Sequence, residues 1–266
     1  AHDSTMALFP SPESLRDYLF GAERPDITQE AEASLEQDLV CLANAPDAQA
    51  SSVALVGLFF RNRRQDYPIA ETFLRKAIEL DPKYAWAWAQ LGRLLHKNLS
   101  RFDEAEKAYR TVIALDPKHV WAWARLGQLL HEKLNRHNEA EEAYRTAIDL
   151  DPKYAWGWAH LGGLLHERLN RHEEAESAYR KAIEITPSYA SAWLQLGCLL
   201  CTRLSRYDEA EQAYRKAIAL APRSALAWAL LGNLLDGEPS RYDEAEKAYR
   251  TAINIDPRLL LAWGSL

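Results

Sequence analysis

Residues 116–127 read Asp-Pro-Lys-His-Val-Trp-Ala-Trp-Ala-Arg-Leu-Gly, and close copies of this stretch recur along the chain. Its proline returns every 35 residues, at Pro82, Pro117, Pro152, Pro187, Pro222 and Pro257. A strict period between about 20 and 50 residues indicates a solenoid, in which one supersecondary unit stacks on copies of itself. Such folds form long surfaces more readily than closed catalytic pockets, so the period already favours a binding protein over an enzyme.

Each unit is predicted to contain two helices. After Pro82, apolar residues follow helical spacing at Trp88, Leu91, Leu94 and Leu95. Proline fits the first turn of a helix and interrupts the helix before it, so the repeated prolines mark the joints between units. The second helix carries its apolar stripe at Ala105, Ala108, Tyr109, Val112 and Ile113. The sequence therefore predicts an all-α fold of helix-turn-helix repeats, with Trp88 and its copies in the core.

Small polar residues precede the second helix of each unit. Serine and asparagine are favoured N-cap residues, because their side-chain oxygen accepts a hydrogen bond from a free N–H of the first turn. We expect this role for Ser100, Asn135, Asn170, Ser205 and Ser240. The paired glutamates that follow, such as Glu104 and Glu106, are expected to form a solvated face that suits the helix dipole.

The repeated unit resembles the tetratricopeptide repeat family. The resemblance rests on Trp88-x-x-Leu91-Gly92, followed by Ala105, Tyr109 and Pro117, and it covers roughly residues 50–266. It implies a right-handed α-solenoid whose concave groove is lined by the first helices. One departure is the length, since the family repeat is usually about 34 residues. The additional residue lies between Gly92 and Ala105, where the two helices turn.

The domain organisation follows from the phase of the repeat. Residues 1–49 are predicted to form an N-terminal tail and a helical cap, with helices over Ser11–Phe20 and Thr28–Ala43. Leu35, Leu39 and Leu42 give the second of these an apolar stripe. The array is predicted to occupy 50–266, as repeats 50–84, 85–119, 120–154, 155–189, 190–224 and 225–259 and the start of a seventh at 260–266.

A second set of aromatic residues suggests a ligand-binding face. Trp86, Trp121 and Trp156 each precede a predicted core tryptophan by two residues, and residues two apart do not share a helix face. Aromatic side chains with polar tips suit binding surfaces. With the groove positions implied by the family, the candidate site residues are Tyr84, Trp86, Arg93, His96, His119, Trp121, Gln128, His131, Tyr154, Trp156, His166 and Tyr189.

Two explanations of these aromatic and histidine ladders remain open. The ladders fade in the fifth and sixth repeats, where Ser191 and Leu226 replace the tryptophan, so ligand contacts are expected in repeats two to four. Because those repeats are nearly identical, the ladders could instead reflect recent duplication. The second tryptophan could also pack against the neighbouring first helix.

No catalytic, metal or cofactor site is predicted. Cys198-x-x-Cys201 lies on a predicted helix without a second cysteine pair, which favours structural or groove cysteines over a metal site. Most of the histidines recur at equivalent positions of the repeat, as His96, His131 and His166 do, whereas His160 occurs in one repeat only. The sequence shows no nucleophile–base arrangement and no phosphate-binding glycine loop. We therefore expect a protein that is not an enzyme.

The charge, the apolar runs and the cysteine count of the sequence limit the kinds of partner and the location that we expect. The formal net charge of −6 argues against nucleic acid, and no apolar run is long enough to span a bilayer. Three cysteines, an odd number, suit a reducing compartment, so a cytoplasmic location is expected. End-to-end self-association through the C-terminal face is a further possibility that the unfinished seventh repeat raises.

The function predicted from the sequence is a non-catalytic scaffold that binds a protein or peptide in its concave groove. A first alternative is the recognition or sensor region of a larger enzyme or signalling protein, which the start of a seventh repeat motivates. A remote alternative is single-stranded RNA binding, since a helical pair of 35 residues is also used by RNA-reading repeats. The family's basic clamp for acidic peptides is poorly matched, because the position of Arg93 becomes Gln128, Gly163 and Cys198.

Overall fold

The computed structural model describes residues 29–258, and side chains from residue 33 onward. Within this range the chain is all-α, with no β-strand, which confirms the predicted helical repeat fold. The N-terminal helix is α1 (Gln29–Asn44). The first helices of the following pairs are α2 (Ala50–Phe59), α4 (Ala85–Lys97), α6 (Val120–Glu132), α8 (Ala155–Glu167), α10 (Ala190–Thr202) and α12 (Ala225–Leu235). The second helices are α3 (Tyr67–Leu80), α5 (Phe102–Leu115), α7 (His137–Leu150), α9 (His172–Ile185), α11 (Tyr207–Leu220) and α13 (Tyr242–Ile255).

The chain separates into two compact units, which divide between Leu129 and Leu130 inside α6. In the first unit, α2 packs against α3, α3 against α4 and α4 against α5. In the second unit, each helix from α8 to α13 packs chiefly against the next one along the chain. Packing within each unit is therefore local in sequence, as expected of a repeat array.

The centre of each repeat from the second to the sixth is a tyrosine of the second helix, whereas the first repeat has Leu74 at this position. Tyr109, Tyr144, Tyr179, Tyr214 and Tyr249 are all fully or almost fully buried. In α8 the backbone of Gly162 lies so close to the Tyr179 ring that a Cβ atom there would stand 2.8 Å from it. The glycine of the Trp-x-x-Leu-Gly motif is thus required because it lets the first helix approach the tyrosine ring.

The tryptophans of the Trp-x-x-Leu-Gly motif are only half-buried, which corrects the expectation that they form the core. The Trp88 indole N–H donates a hydrogen bond of 3.0 Å to the carbonyl oxygen of Pro82, six residues earlier. The same bond recurs at Trp123, Trp158, Trp193 and Trp228. Each tryptophan therefore fastens the start of its first helix to the proline joint that precedes it.

The predicted N-cap residues adopt a different role. Ser100, Asn135, Asn170 and Ser205 have positive φ angles of 52–54° and precede the N-cap residue by one position. The N-cap of α5 is Arg101, whose side chain makes no capping bond, while its backbone N–H donates to the Leu95 carbonyl oxygen at 3.0 Å. The N-cap prediction was wrong because these positions supply the left-handed residue that reverses the chain. Ser240 lies in a short 3-10 helix, Pro239–Arg241.

The paired glutamates of the second helices bind arginines, so they are more than a solvated face. Arg171 donates to the Glu141 carboxylate of the preceding repeat at 2.8 Å and to Glu174 of its own repeat at 2.6 Å. Arg206 repeats this arrangement with Glu176 and Glu209. Within the second unit, charged side chains thus connect consecutive second helices.

The N-terminal region is described in part. Helix α1 corresponds to the predicted helix over Thr28–Ala43 and packs against α2. Leu35 and Leu39 are buried as expected, but Leu42 is 48% exposed and does not belong to the buried stripe. The predicted helix Ser11–Phe20 and the start of the seventh repeat at 260–266 lie outside the described residues.

Candidate functional site

Six of the aromatic and histidine side chains predicted for the groove lie at the N-terminal ends of the first helices α4, α6 and α8. We call these six residues the aromatic ladder: Tyr84, Trp86, His119, Trp121, Tyr154 and Trp156. Tyr84 and Trp86 have ring centroids 5.9 Å apart, and Tyr154 and Trp156 have the same separation. The rings of His119 and Trp121 lie 6.3 Å apart. All six side chains are half-buried, so each keeps part of its surface available to a ligand.

In the first unit, Trp121 has structural contacts as well as exposed surface. Its ring meets the buried ring of Tyr109 edge-on at 5.8 Å, and it packs against Val112 and Ala122. The Arg125 guanidinium lies 5.4 Å from the centre of the Trp121 ring. Trp121 therefore packs on the preceding second helix, α5, and this packing restricts the orientation of its ring.

The polar positions of the first unit differ in exposure. Arg93 is exposed, whereas Gln128 is only 7% exposed and accepts a 2.9 Å hydrogen bond from Arg125 Nη1. Arg61, which the sequence did not single out, is buried and donates to Gln90 Oε1 at 2.9 Å. Burial and the nearby charge of Arg93 lower the pKa of Arg61 to about 10.

The three histidines predicted for the groove, His96, His131 and His166, are buried inside the repeats. His96 is 2% exposed and its Nδ1 lies 3.4 Å from the Tyr109 hydroxyl. The rings of His131 and His137 lie 6.1 Å apart, and those of His166 and His172 lie 5.9 Å apart. Burial lowers the pKa of both His131 and His166, because it disfavours the charged imidazolium.

A pocket of about 280 Å³ opens on the second unit, between the end of α6, the middle of α8 and the start of α10. We call it the α8 pocket. Its lining includes the predicted site residues His131 and Tyr189, and also His160, Gly163, Glu167, Tyr179 and Gln195. It brings two predicted positions together with several that the sequence did not nominate.

His160 is the clearest functional candidate that sequence reasoning missed. Its ring stacks on Trp156 with centroids 3.6 Å apart, and its Nδ1 lies 2.9 Å from the Trp156 carbonyl oxygen. It was given little weight because it occurs in a single repeat. The signal that could have found it is its position, since it is one of the few places where α8 differs from α4.

Tyr179 lies below Gly163 and contributes a hydroxyl that has no hydrogen-bond partner among residues 29–258. In the last repeat the equivalent Tyr249 hydroxyl donates to Asn233 Oδ1 at 2.8 Å. Asn233 and Gly163 occupy the same position of the repeat, so the missing side chain at Gly163 removes that partner. Burial, and then the charge of Glu167, raise the pKa of Tyr179, so its hydroxyl stays protonated.

Two of the cysteines lie on α10 and are partly buried. Burial, the largest cause, raises the pKa of both the Cys198 and the Cys201 thiols, and the nearby Tyr214 hydroxyl offsets this in part. Across residues 29–258, no group of three His, Cys, Asp or Glu side chains is arranged to hold a metal ion. None of the helices in the same range has the length and apolar character needed to cross a membrane.

Comparison with known families identifies the repeat. Two models, both described as tetratricopeptide repeat, match the chain, one at residues 94–155, 131–190 and 203–258 and the other at 73–107 and 178–212. Together they span more than half of the sequence. The chain therefore belongs to the tetratricopeptide repeat family. No curated protein sequence matches it significantly.

Several solved structures share the fold. The crystal structure of MamA is 26% identical, covering 63% of this chain and 95% of that chain with a TM-score of 0.55. PilF of Pseudomonas aeruginosa is 22% identical in sequence, and the match covers 81% of this chain and 95% of PilF with a TM-score of 0.69. YrrB, described as a TPR protein with an unusual peptide-binding site, is also 22% identical in sequence. The match covers 72% of this chain and 96% of YrrB with a TM-score of 0.55. The last two likenesses show the fold alone.

Proposed function

We propose that this protein is a non-catalytic scaffold that binds a segment of a partner protein on the face formed by its first helices. The observation that carries the proposal is the aromatic ladder, whose six side chains are partly exposed and of which Trp121 is held in place by packing on Tyr109. Rigid aromatic rings contribute large contact area at small entropic cost, which is the property of interface hot spots. The α8 pocket adds a concave site beside the ladder in the second unit.

Other features are consistent with a scaffold. The thiols of Cys198 and Cys201 have raised pKa values, which disfavours the nucleophilic thiolate at these two positions. The site residues carried forward are the aromatic ladder with Arg93 in the first unit, and His131, Tyr189 and the newly found His160 in the second. We propose a protein or peptide partner in the cytoplasm, and we retain residues 1–49 as a proposed N-terminal cap of the array.

The test uses selection from a phage-displayed library of 12-residue peptides, because it needs no knowledge of the natural partner. We expect the protein to enrich peptides whose affinity falls at least about tenfold in Trp156→Ala, since a central aromatic anchor is typically worth about 2 kcal/mol or more. Tyr207→Ala is the matched control, because Tyr207 is a 56% exposed aromatic residue at the start of a second helix. A thermal melt of each variant separates lost binding from lost structure.

Two outcomes contradict the proposal. One is a selection that enriches no peptide, and the other is enrichment that Trp156→Ala leaves unchanged while Tyr207→Ala removes it. Trp121→Ala repeats the test in the first unit. Because Trp121 also packs on Tyr109, its variant is compared at a temperature at which both proteins remain folded.

A further inference from the structure

Helices α4 and α8 are nearly identical in sequence, and their differences lie on one stripe. Of their 13 residues they differ at four positions, where α4 has Ala87, Gln90, Arg93 and Lys97 and α8 has Gly157, His160, Gly163 and Glu167. Positions three or four residues apart share a helix face. Both tryptophans and the last-turn histidine are unchanged between the two helices, so duplication explains what they share and not what separates them.

These differences change both the charge and the shape of the surface. The two positions that carry Arg93 and Lys97 in α4 carry Gly163 and Glu167 in α8, which takes the local charge from +2 to −1. His160, Gly163 and Glu167 all line the α8 pocket. A Cβ atom on Gly163 would meet only the buried Tyr179 hydroxyl within 4 Å, at 3.8 Å, so there is room for a side chain at this position next to the hydroxyl.

The pocket favours a cationic occupant. Its rim carries the carboxylates of Glu132 and Glu167 and the guanidinium of Arg168, so acidic groups outnumber basic ones. The charge of Glu132 and, to a smaller extent, that of Arg168 act on His131, whereas the Glu167 charge acts on Tyr179, which also lines the pocket. The protonated Tyr179 hydroxyl has an oxygen that can accept a hydrogen bond, and a buried polar group without a partner is unfavourable.

We propose that the α8 pocket is a specificity pocket for one basic side chain, lysine or arginine, of a bound protein segment. The N–H groups of that side chain donate to the Glu167 carboxylate and to the Tyr179 hydroxyl oxygen, and its aliphatic stem lies against the pocket wall. Such charge-assisted hydrogen bonds are stronger than neutral ones. The proposal deepens the proposed function and rests on it.

The pocket is tested directly with single capped amino acids, which do not depend on the rest of the groove. N-acetyl-arginine amide and N-acetyl-lysine amide are titrated against the full chain, with the Gly163 backbone amide followed by NMR. N-acetyl-norleucine amide and N-acetyl-glutamate amide are the matched neutral and acidic probes. We expect saturable shifts with the two basic probes and none with the others. Equal shifts with norleucine, or none with any probe, would overturn the proposal.

Variants assign the effect to named groups. Gly163→Asn fills the pocket with the side chain that binds the Tyr249 hydroxyl in the last repeat. We expect this variant to fold and the NMR shifts that the basic probes cause at the amides next to residue 163 to disappear. Glu167→Gln should lower the affinity for the two basic probes about tenfold or more. Glu142→Gln removes a carboxylate from an exposed position of α7 and should change nothing. Unchanged affinity in both Gly163→Asn and Glu167→Gln would contradict the assignment.

The peptide selection separates this inference from the proposed function. Peptides that bind without a basic residue, and whose binding Gly163→Asn leaves unchanged, would support the scaffold and refute the specificity pocket. Saturable binding of the basic probes, together with a selection that enriches no peptide, would support the pocket and refute the scaffold. If both hold, replacing the basic residue of an enriched peptide by norleucine should weaken binding to the wild type and not to Gly163→Asn.

Discussion

Gly162 and Gly163 are neighbours on α8, yet a side chain at each position would meet different surroundings. A Cβ on Gly162 would stand 2.8 Å from two atoms of the Tyr179 ring, which is fully buried. A Cβ on Gly163 would meet one atom within 4 Å, at an ordinary contact distance. Glycine is therefore a packing requirement at the first position and a conformational cost at the second.

We expect opposite effects from alanine at these two positions. Gly163→Ala should raise the free energy of unfolding by about 1 kcal/mol, because alanine is the better helix former. Gly162→Ala should lower it by about 1–3 kcal/mol, because the added methyl group overpacks the core. Urea unfolding followed by circular dichroism measures both. A stabilising Gly162→Ala would show that the helix can move away from Tyr179 at little cost.

At the scale of the helix pair, the turn between the two helices depends on one left-handed residue. Ser100 has a φ angle of 54°, a region that costs about 1–2 kcal/mol for most residues and that glycine reaches freely. The Arg101 N–H then bonds to the Leu95 carbonyl oxygen and closes the turn. Sequence reasoning placed the additional residue of the repeat in this interval and assigned Ser100 a capping role. Capping and left-handed positions both favour serine and asparagine, so composition could not separate them.

The turn predicts a clear order of stability among Ser100 variants. Ser100→Gly should stabilise the protein by about 0.5–1 kcal/mol, since it relieves the left-handed strain. Ser100→Val should destabilise it by about 1–2 kcal/mol, because a β-branched residue is a poor fit at positive φ. Ser205→Gly repeats the test in the second unit at a φ angle of 53°. If Ser100 were an N-cap, both glycine and valine would lower the midpoint of thermal unfolding, and that result would contradict this account.

At the scale of the whole molecule, the second helices share a repeated network of arginines and glutamates. Arg241 donates to the Glu211 carboxylate at 2.7 Å and 2.8 Å, and Arg206 binds Glu176 in the same way. These side chains are partly exposed, so solvent weakens each pair, and the effect lies in its repetition within each unit. Hydrogen bonds from Arg241, the largest cause, lower the pKa of Glu211 from 4.5 to about 2.

The depressed pKa of Glu211 predicts how stability changes in acid. The folded protein binds a proton at Glu211 less readily than the unfolded chain does, so this group stabilises the fold above pH 4.5 and loses its contribution as the pH falls towards 2. Glu211→Gln should lower the melting temperature at pH 7 and flatten its decline between pH 4.5 and 2. Glu142→Gln, on the exposed side of α7, is the control and should leave the pH profile unchanged. A decline as steep in Glu211→Gln as in the wild type would exclude this contribution.

The repeat period was sufficient to predict the all-α fold, the helix pairs and the aromatic positions, because each depends on spacing that every copy preserves. It was less informative about residues that vary between copies. Trp88 was assigned to the core since apolar periodicity does not reveal an indole N–H bonded to a carbonyl oxygen. The α8 pocket was missed because it depends on an absent side chain at Gly163, and its meaning requires knowing that Tyr179 lies below.

Local packing predicts that the array can be lengthened by a whole unit. In the second unit, each helix from α8 to α13 packs chiefly on its neighbour along the chain, so stability should approximate a sum of repeat and interface contributions. Inserting a second copy of residues 155–189 after Tyr189 keeps the 35-residue phase and joins ends that already occur in this order. We expect a folded protein with a higher free energy of unfolding and a urea m-value raised by about one seventh, since m follows the surface exposed on unfolding. The matched control inserts the same copy with Gly162→Ala, which weakens the packing of the first helix on Tyr179 and should give a smaller gain. An m-value equal to that of the wild type would mean that the inserted unit does not join the cooperative array.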